Sequence, residues 1–150
     1  MNEIFMKRAI DIAKQGLEFD EVPIGAVIVK NGEIIAEAHN LKETNNCAVF
    51  HAEIVAITLA TKVLSSWRLH GCDIYVTLEP CPMCAGALIN SRIDNIFFGA
   101  YDKKAGCCGT LYNLPQDVRF NHRVGVVGGI LEGECVKLLS DYFKTKRISK

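Results

Sequence analysis

The sequence predicts an α/β fold of three layers, a mixed sheet of about five strands with helices on both faces. Three patterns lead to it. The pair Asn31-Gly32 is a strong hairpin signal between two apolar runs. A strand, a short helix and a second strand follow one another between Asp73 and Phe98, the arrangement of a crossover joining parallel neighbours. Further stretches repeat apolar residues at helical spacing.

Residues 3–18 place Phe5, Ala9, Ile12 and Ala13 on one helix face, with Gly16 near the end. Pro23 opens a β-branched run, Ile24 to Val29, that reads as a buried strand. Glu33 to His39 returns as the second strand, and Asn40 to Asn46 is a polar loop. From Ala52 the spacing turns helical again: Ala52, Val55, Ala56, Leu59, Ala60 and Val63 form a small-residue face suited to close packing on a sheet. After Gly71 come a strand at Asp73 to Leu78, a short helix at Pro82 to Ser91 and a strand at Asn95 to Phe98. The long connection 100–123 carries Gly106, Gly109 and Pro115, and such a length implies function or a short helix of its own. Val124 to Val127 is a last strand, and Leu131, Cys135, Leu138, Leu139, Tyr142 and Phe143 face one side of a C-terminal helix. With no linker, repeat or low-complexity segment, residues 1–150 are expected to form one domain.

Composition narrows the class. At 49% hydrophobic and 23% charged the chain belongs with globular proteins, and no apolar run nears the roughly 18 residues of a membrane span. The start, Met1-Asn2-Glu3-Ile4, lacks the basic-then-apolar order of a signal peptide, so a cytoplasmic location is expected. Seven cysteines, an odd number without a secretion signal, argue for reduced thiols over a disulfide framework. Cys47, Cys72, Cys107, Cys108 and Cys135 show no second C-x-x-C spacing and read as small buried hydrophobes. The formal net charge is zero, which is not the usual footprint of a nucleic-acid binder. Its halves differ, however: residues 1–75 carry net −3 and residues 76–150 net +3. Lys144, Lys146, Arg147 and Lys150 crowd the C-terminus, either as a solvated helix end or as an RNA contact.

The chemistry gathers in two short pieces, His51-Ala52-Glu53 and Pro80-Cys81-Pro82-Met83-Cys84. Together they match the H-x-E…P-C-x-x-C signature of zinc nucleobase deaminases. Cys81 and Cys84, three apart at a helix start, put both sulfurs on one side, and Pro82 suits the first turn. The positive end of that helix favours thiolate. His51, opening another helix, supplies a third ligand. Two thiolates and one imidazole leave a tetrahedral zinc one protein ligand short, as in a catalytic site whose remaining position holds a water of pKa lowered toward ~7. Glu53, two residues from His51, points elsewhere on the helix; it is placed to carry protons and not to bind metal. His39 and His70 fall at no ligand spacing and read as a strand-end and a surface residue.

Beyond these motifs, Glu21-Val22-Pro23-Ile24-Gly25-Ala26, TLEPCPMCAGALINSRI, Asn121-His122-Arg123 and the block from Gly129 to Phe143 resemble the bacterial tRNA-specific adenosine deaminases of the cytidine deaminase-like superfamily. The resemblance implies that superfamily's fold and a homodimer converting adenosine to inosine at the anticodon wobble position of a tRNA. It implies one zinc per subunit on His51, Cys81 and Cys84, with Glu53 as proton shuttle. Asn40 would hydrogen-bond the base, while Asp102, Asn121, His122 and Arg123 would line the path of the anticodon loop. Tyr142, Phe143 and Lys144 would offer rings and charge to neighbouring nucleotides or, for the rings, pack in the helix core. Two departures stand out: Cys47-Ala48-Val49-Phe50 precedes the histidine where the family has an Asp-Pro-Thr-Ala type of segment, and Cys107-Cys108 replaces small residues. Two other readings stay open: a deaminase of a free base or nucleoside of cytosine, guanine or cytidine type, and a non-catalytic, zinc-stabilised RNA-binding module.

Overall fold

The computed structural model describes residues 2–148. Its elements are α1 (Asn2–Gln15), β1 (Gly25–Lys30), β2 (Glu33–His39), α2 (Ala52–Leu64), β3 (Cys72–Leu78), α3 (Pro82–Asn90), β4 (Asn95–Ala100), β5 (Gly125–Val127) and α4 (Glu132–Ile148). The sheet has five strands in the order β2-β1-β3-β4-β5. β1 runs antiparallel to β2 and β3, whereas β3, β4 and β5 are mutually parallel. This is the mixed, three-layer α/β architecture that the sequence predicts.

Local chemistry explains the corners. Asn31 and Gly32 have φ of 51° and 76°, both positive, as a two-residue hairpin turn of the I′ kind requires. Lys30 then pairs with Glu33 across it. α1 ends earlier than its apolar pattern suggests, because Gly16–Phe19 tightens into a 3-10 turn. The 100–123 connection carries a short 3-10 helix, Leu114–Gln116.

Two cores lie on opposite faces of the sheet. Ala26, Ile28, Ile74, Val76, Ile96 and Phe98 face α2 and α3. Val27, Val29 and Tyr75 face the other way, against Met6, Ala9 and Ile10 of α1. The alternation along each strand is the two-residue period of a sheet covered on both sides. On α2 only the alanines Ala52, Ala56 and Ala60 are fully enclosed, so the helix lies close to the strands.

Two expectations need correction. Leu59 and Val63, placed on the inward face of α2 by periodicity, are 39% and 61% exposed. The helix is apolar almost all round, so spacing alone did not identify the side that packs. The face expected on α4 is likewise mostly open: Cys135 is buried, Leu138, Leu139 and Tyr142 are half-buried and Phe143 is exposed. α4 packs chiefly on β4, where Gly99 leaves room for the Cys135 sulfur. Of the C-terminal cations, Lys150 lies outside the described residues. Among the described residues, no helix is long and apolar enough to cross a membrane.

Helix and sheet meet backbone to backbone at Gly25, where a Cβ would overlap the backbone of Ala9 and Ala13. Gly25→Ala must therefore push α1 off β1. We expect a loss of about 3 kcal/mol, read from the urea midpoint of the folded protein.

Candidate active site

β3 delivers the chain directly to α3, and the turn between them holds Cys81. Cys81 is the residue before the first helical position, extended at φ −73°, ψ 175°. His51 occupies the same position before α2, at φ −71°, ψ 156°. Neither side chain caps its own helix. Both turn toward a common point, which Cys84 reaches from one turn into α3.

His51 Nδ1 lies 3.6 Å from the Cys81 Sγ and 3.5 Å from the Cys84 Sγ. Two metal bonds of ~2.3 Å to sulfur and ~2.0–2.1 Å to nitrogen, meeting at the tetrahedral angle, hold S and N about 3.6 Å apart. The donor set therefore fits a zinc ion in both chemistry and spacing. All three donor atoms fall within 4.8 Å of one another, and among the described residues no other His, Cys, Asp or Glu joins them.

Cys81 and Cys84 do not share the proton load equally. The hydrogen bond from Cys84, and after it the bond with His51, holds the Cys81 thiol down to about 4. Cys84 moves up, because it keeps the shared proton and is buried. His51 is raised by its hydrogen bond with Cys81. Glu53 is 4% exposed, and burial pushes its carboxyl up to about 7. It makes a hydrogen bond with the Cys84 thiol, so it faces the cluster without joining the ligands.

Asn40 is buried beside these groups. Its Oδ1 accepts the Ala52 N–H at 2.8 Å and so caps α2 from outside the helix. The loop after Asn40 closes where the Leu41 N–H donates to the Phe50 carbonyl at 3.0 Å. Within it, the unusual Cys47–Phe50 segment bonds to itself, Phe50 N–H to Cys47 O at 3.1 Å.

Two buried carboxylates missed by the sequence reading hold the loops on either side. Glu21 accepts the N–H groups of Glu43 and Thr44 at 3.1 and 2.6 Å and the Thr44 hydroxyl at 2.6 Å. Glu79 accepts the N–H groups of Asp102, Cys108 and Thr110, each at 3.0 Å, and the Thr110 hydroxyl. The signal available in the sequence was an acid set among apolar neighbours, Leu78 and Pro80, at the end of a buried strand.

The remaining candidates sit elsewhere. Asp102 Oδ1 accepts the N–H groups of Lys104 and Ala105 at 2.9 and 3.2 Å, forming a turn. Asn121 and Arg123 are exposed, and His122 Nε2 is paired with the Ile93 carbonyl at 2.8 Å. Ile93 lies beyond the C-terminal end of α3, so this group is not brought to the cluster at its N-terminal end. Four of the five other cysteines are buried and Cys47 is half-buried. A groove of about 600 Å³ lies between β2 and the far end of α2, where it is lined by Ile35, Leu59 and Val63 and holds none of these groups.

A mixed sheet bearing a His-Cys-Cys cluster at two helix starts, with a buried glutamate against it, defines a deaminase of the cytidine deaminase-like fold. The chain belongs to the MafB19-like deaminase family, whose profile matches residues 1–147. It is 56% identical over 149 residues to a tRNA-specific adenosine deaminase of Bacillus subtilis, covering 99% of this chain and 92% of that protein. A solved structure from studies of A-to-I editing by tRNA:A34 deaminases at the wobble position of transfer RNA superposes with a TM-score of 0.86. It is 40% identical and covers 90% of this chain and 98% of its own. A guanine deaminase structure from Bacillus subtilis superposes with a TM-score of 0.65 at 43% identity, covering 72% of this chain and 69% of that one.

The raised Glu53 makes a prediction for the metal-free protein. An acid harder to ionise in the fold than in the unfolded chain destabilises the fold once ionised. The penalty is absent below its ordinary 4.5, grows as pH rises and is complete above about 7. Glu53→Gln removes it. Without metal the variant should exceed the original chain in stability by roughly 3 kcal/mol at pH 8 and by little at pH 4.5, measured by urea unfolding.

Proposed function

We propose that the protein hydrolyses adenosine to inosine at the wobble position of a tRNA anticodon. One observation carries this: the 56% identity to a tRNA-specific adenosine deaminase runs over 149 residues, in a chain that itself brings His51, Cys81 and Cys84 together beside the buried Glu53. Residues 1–150 act as one domain, in the cytoplasm, holding one zinc per subunit on His51, Cys81 and Cys84.

That zinc, when bound, supplies an activated water as nucleophile at neutral pH. Glu53 moves the protons: it accepts one from the nucleophile, returns it to a ring nitrogen and assists the departing ammonia. Its burial keeps solvent from competing for them. Asn40, with its oxygen held by Ala52, offers its amide N–H donors to the base.

An anticodon loop is single-stranded, so its base can leave the stack at little cost. Support for an RNA surface comes from the side chains around two clefts beside α4. One, of about 380 Å³, is lined by Leu78, Tyr101, Lys103, Lys104 and Phe143, with Asp102 between the ring and the lysines. The other, of about 340 Å³, adds Lys146 and Arg147. Rings and cations together suit unpaired nucleotides. We assign Asp102 to turn formation and the Asn121-His122-Arg123 group to anchoring its loop through His122. The homodimer is supported by large apolar side chains left exposed on the connection that packs against α3: Leu111, Tyr112, Val118 and Phe120.

The likeness to a guanine deaminase favours one rival, turnover of a free base. Zinc-loaded protein should produce inosine in an anticodon stem-loop bearing a wobble adenosine. Turnover of guanine, cytosine or cytidine, with none in the stem-loop, would reject the proposal. Glu53→Gln should keep zinc and RNA binding yet lose at least ~10²-fold in turnover, whereas an RNA-binding module would be unaffected. Cys84→Ala should lose bound zinc, read by metal analysis, and melt at a lower temperature than the zinc-loaded chain.

A further inference from the structure

We infer that Glu79 is a positioning residue for RNA: it holds the 101–110 segment so that Tyr101, Lys103 and Lys104 face the incoming strand. The inference rests on the RNA reading above and adds a residue to it.

Glu79 follows β3 and precedes Pro80-Cys81, yet its carboxylate turns away from the His-Cys-Cys cluster. It is 2% exposed and forms no ion pair among the described residues. Instead it takes the four hydrogen bonds from Asp102, Cys108 and Thr110. An ionised carboxylate has about four lone-pair sites, so its acceptor capacity is filled from one loop.

That loop is divided by burial. Gly106, Cys107 and Cys108 are enclosed, whereas Tyr101, Lys103 and Lys104 are exposed. Gly106 has no side chain where the carboxylate lies; a Cβ there would overlap it. The Cys107 N–H donates to the Pro80 carbonyl at 2.9 Å, which ties the loop to the residue before Cys81. The inner half is thus fixed to the active-site turn, and the outer half carries two lysines that make no ion pair among the described residues. Both line the cleft shared with Phe143 of α4. A phosphodiester is the anion that such a pair beside two rings would take.

Glu79→Gln is the sharp test, because an amide of the same shape has one oxygen and turns donors toward donors. Whichever way it lies, backbone donors lose their acceptor: the Asp102 N–H if the nitrogen takes one side, the Cys108 and Thr110 N–H groups if it takes the other. In steady-state kinetics on the anticodon stem-loop, KM should rise about tenfold while kcat stays within about threefold and zinc content holds. Lys103→Ala/Lys104→Ala should raise KM similarly, and adding Glu79→Gln to that pair should raise it little further, since both act through the same contacts. Multiplying effects, an unchanged KM, or a fall in kcat in step with zinc loss would overturn the inference. Should Glu79→Gln fail to fold, Thr110→Val removes one donor and leaves the carboxylate. It should raise KM about threefold alone and by less in the Lys103→Ala/Lys104→Ala background, where Tyr101 alone is left to position; an equal effect in both, or none, overturns the inference. A wild-type protein that makes no inosine in the stem-loop would instead sink the reading beneath it.

Discussion

Two helix starts converge on one point, and the residues that would ordinarily cap them are needed for something else. A helix begins with unpaired N–H groups, commonly met by a side chain at the preceding position. Here those positions hold His51 and Cys81, whose side chains face each other. The fold compensates α2 from a distance, with Asn40 Oδ1 on the Ala52 N–H. α3 is helped by Pro82, which brings no N–H to satisfy. The exposed positive ends that result are an advantage where thiolates must form. Placing the cluster there also puts it past the C-terminal ends of parallel strands, where α/β sheets leave a crevice.

Around this point the loops have no strands to hold them, and buried carboxylates take that role. Glu21 secures the 41–46 loop and Glu79 the 101–110 segment, each through backbone N–H groups plus one threonine hydroxyl. An unpaired buried carboxylate would be costly, so each is stable only while its loop stays in place. This coupling explains how the atypical Cys47–Phe50 segment is tolerated. Glu21, together with the closure from Leu41 to Phe50, positions the loop without relying on those four side chains.

What was legible in the sequence was local. The Asn31-Gly32 turn, the crossover from β3 to β4 and the i, i+3 cysteines each follow from chemistry within a few residues; the structure has the turn and the crossover and brings both sulfurs to the His51 ring. What was not legible depends on partners distant in sequence. Glu79 acts on residues 23 to 31 positions away, and nothing beside it signals them. Leu59 and Val63 fit a helical stripe, yet the sheet meets the alanine side of α2. His122 looks like a functional residue in a short polar group but bonds a carbonyl 29 positions earlier.

The same buried carboxylates bear on the charge balance. Seventeen acids and seventeen bases give no net monopole, which reads as indifference to RNA. Contact is a different matter. Glu21, Glu53 and Glu79 are buried, whereas no Lys or Arg among the described residues is. Glu21 and Glu79 meet backbone N–H and threonine hydroxyl donors inside the fold, burial holds Glu53 toward its neutral form, and none of the three presents an oxygen to a phosphate at the surface. The long-range monopole is unchanged, but a strand lying against the protein meets more cations than anions. Specific binding without strong long-range attraction should then depend on where the lysines are held more than on how many there are. A loop fixed from beneath by a saturated carboxylate meets that requirement, because the entropy of placing its cations is lost on folding and not on binding.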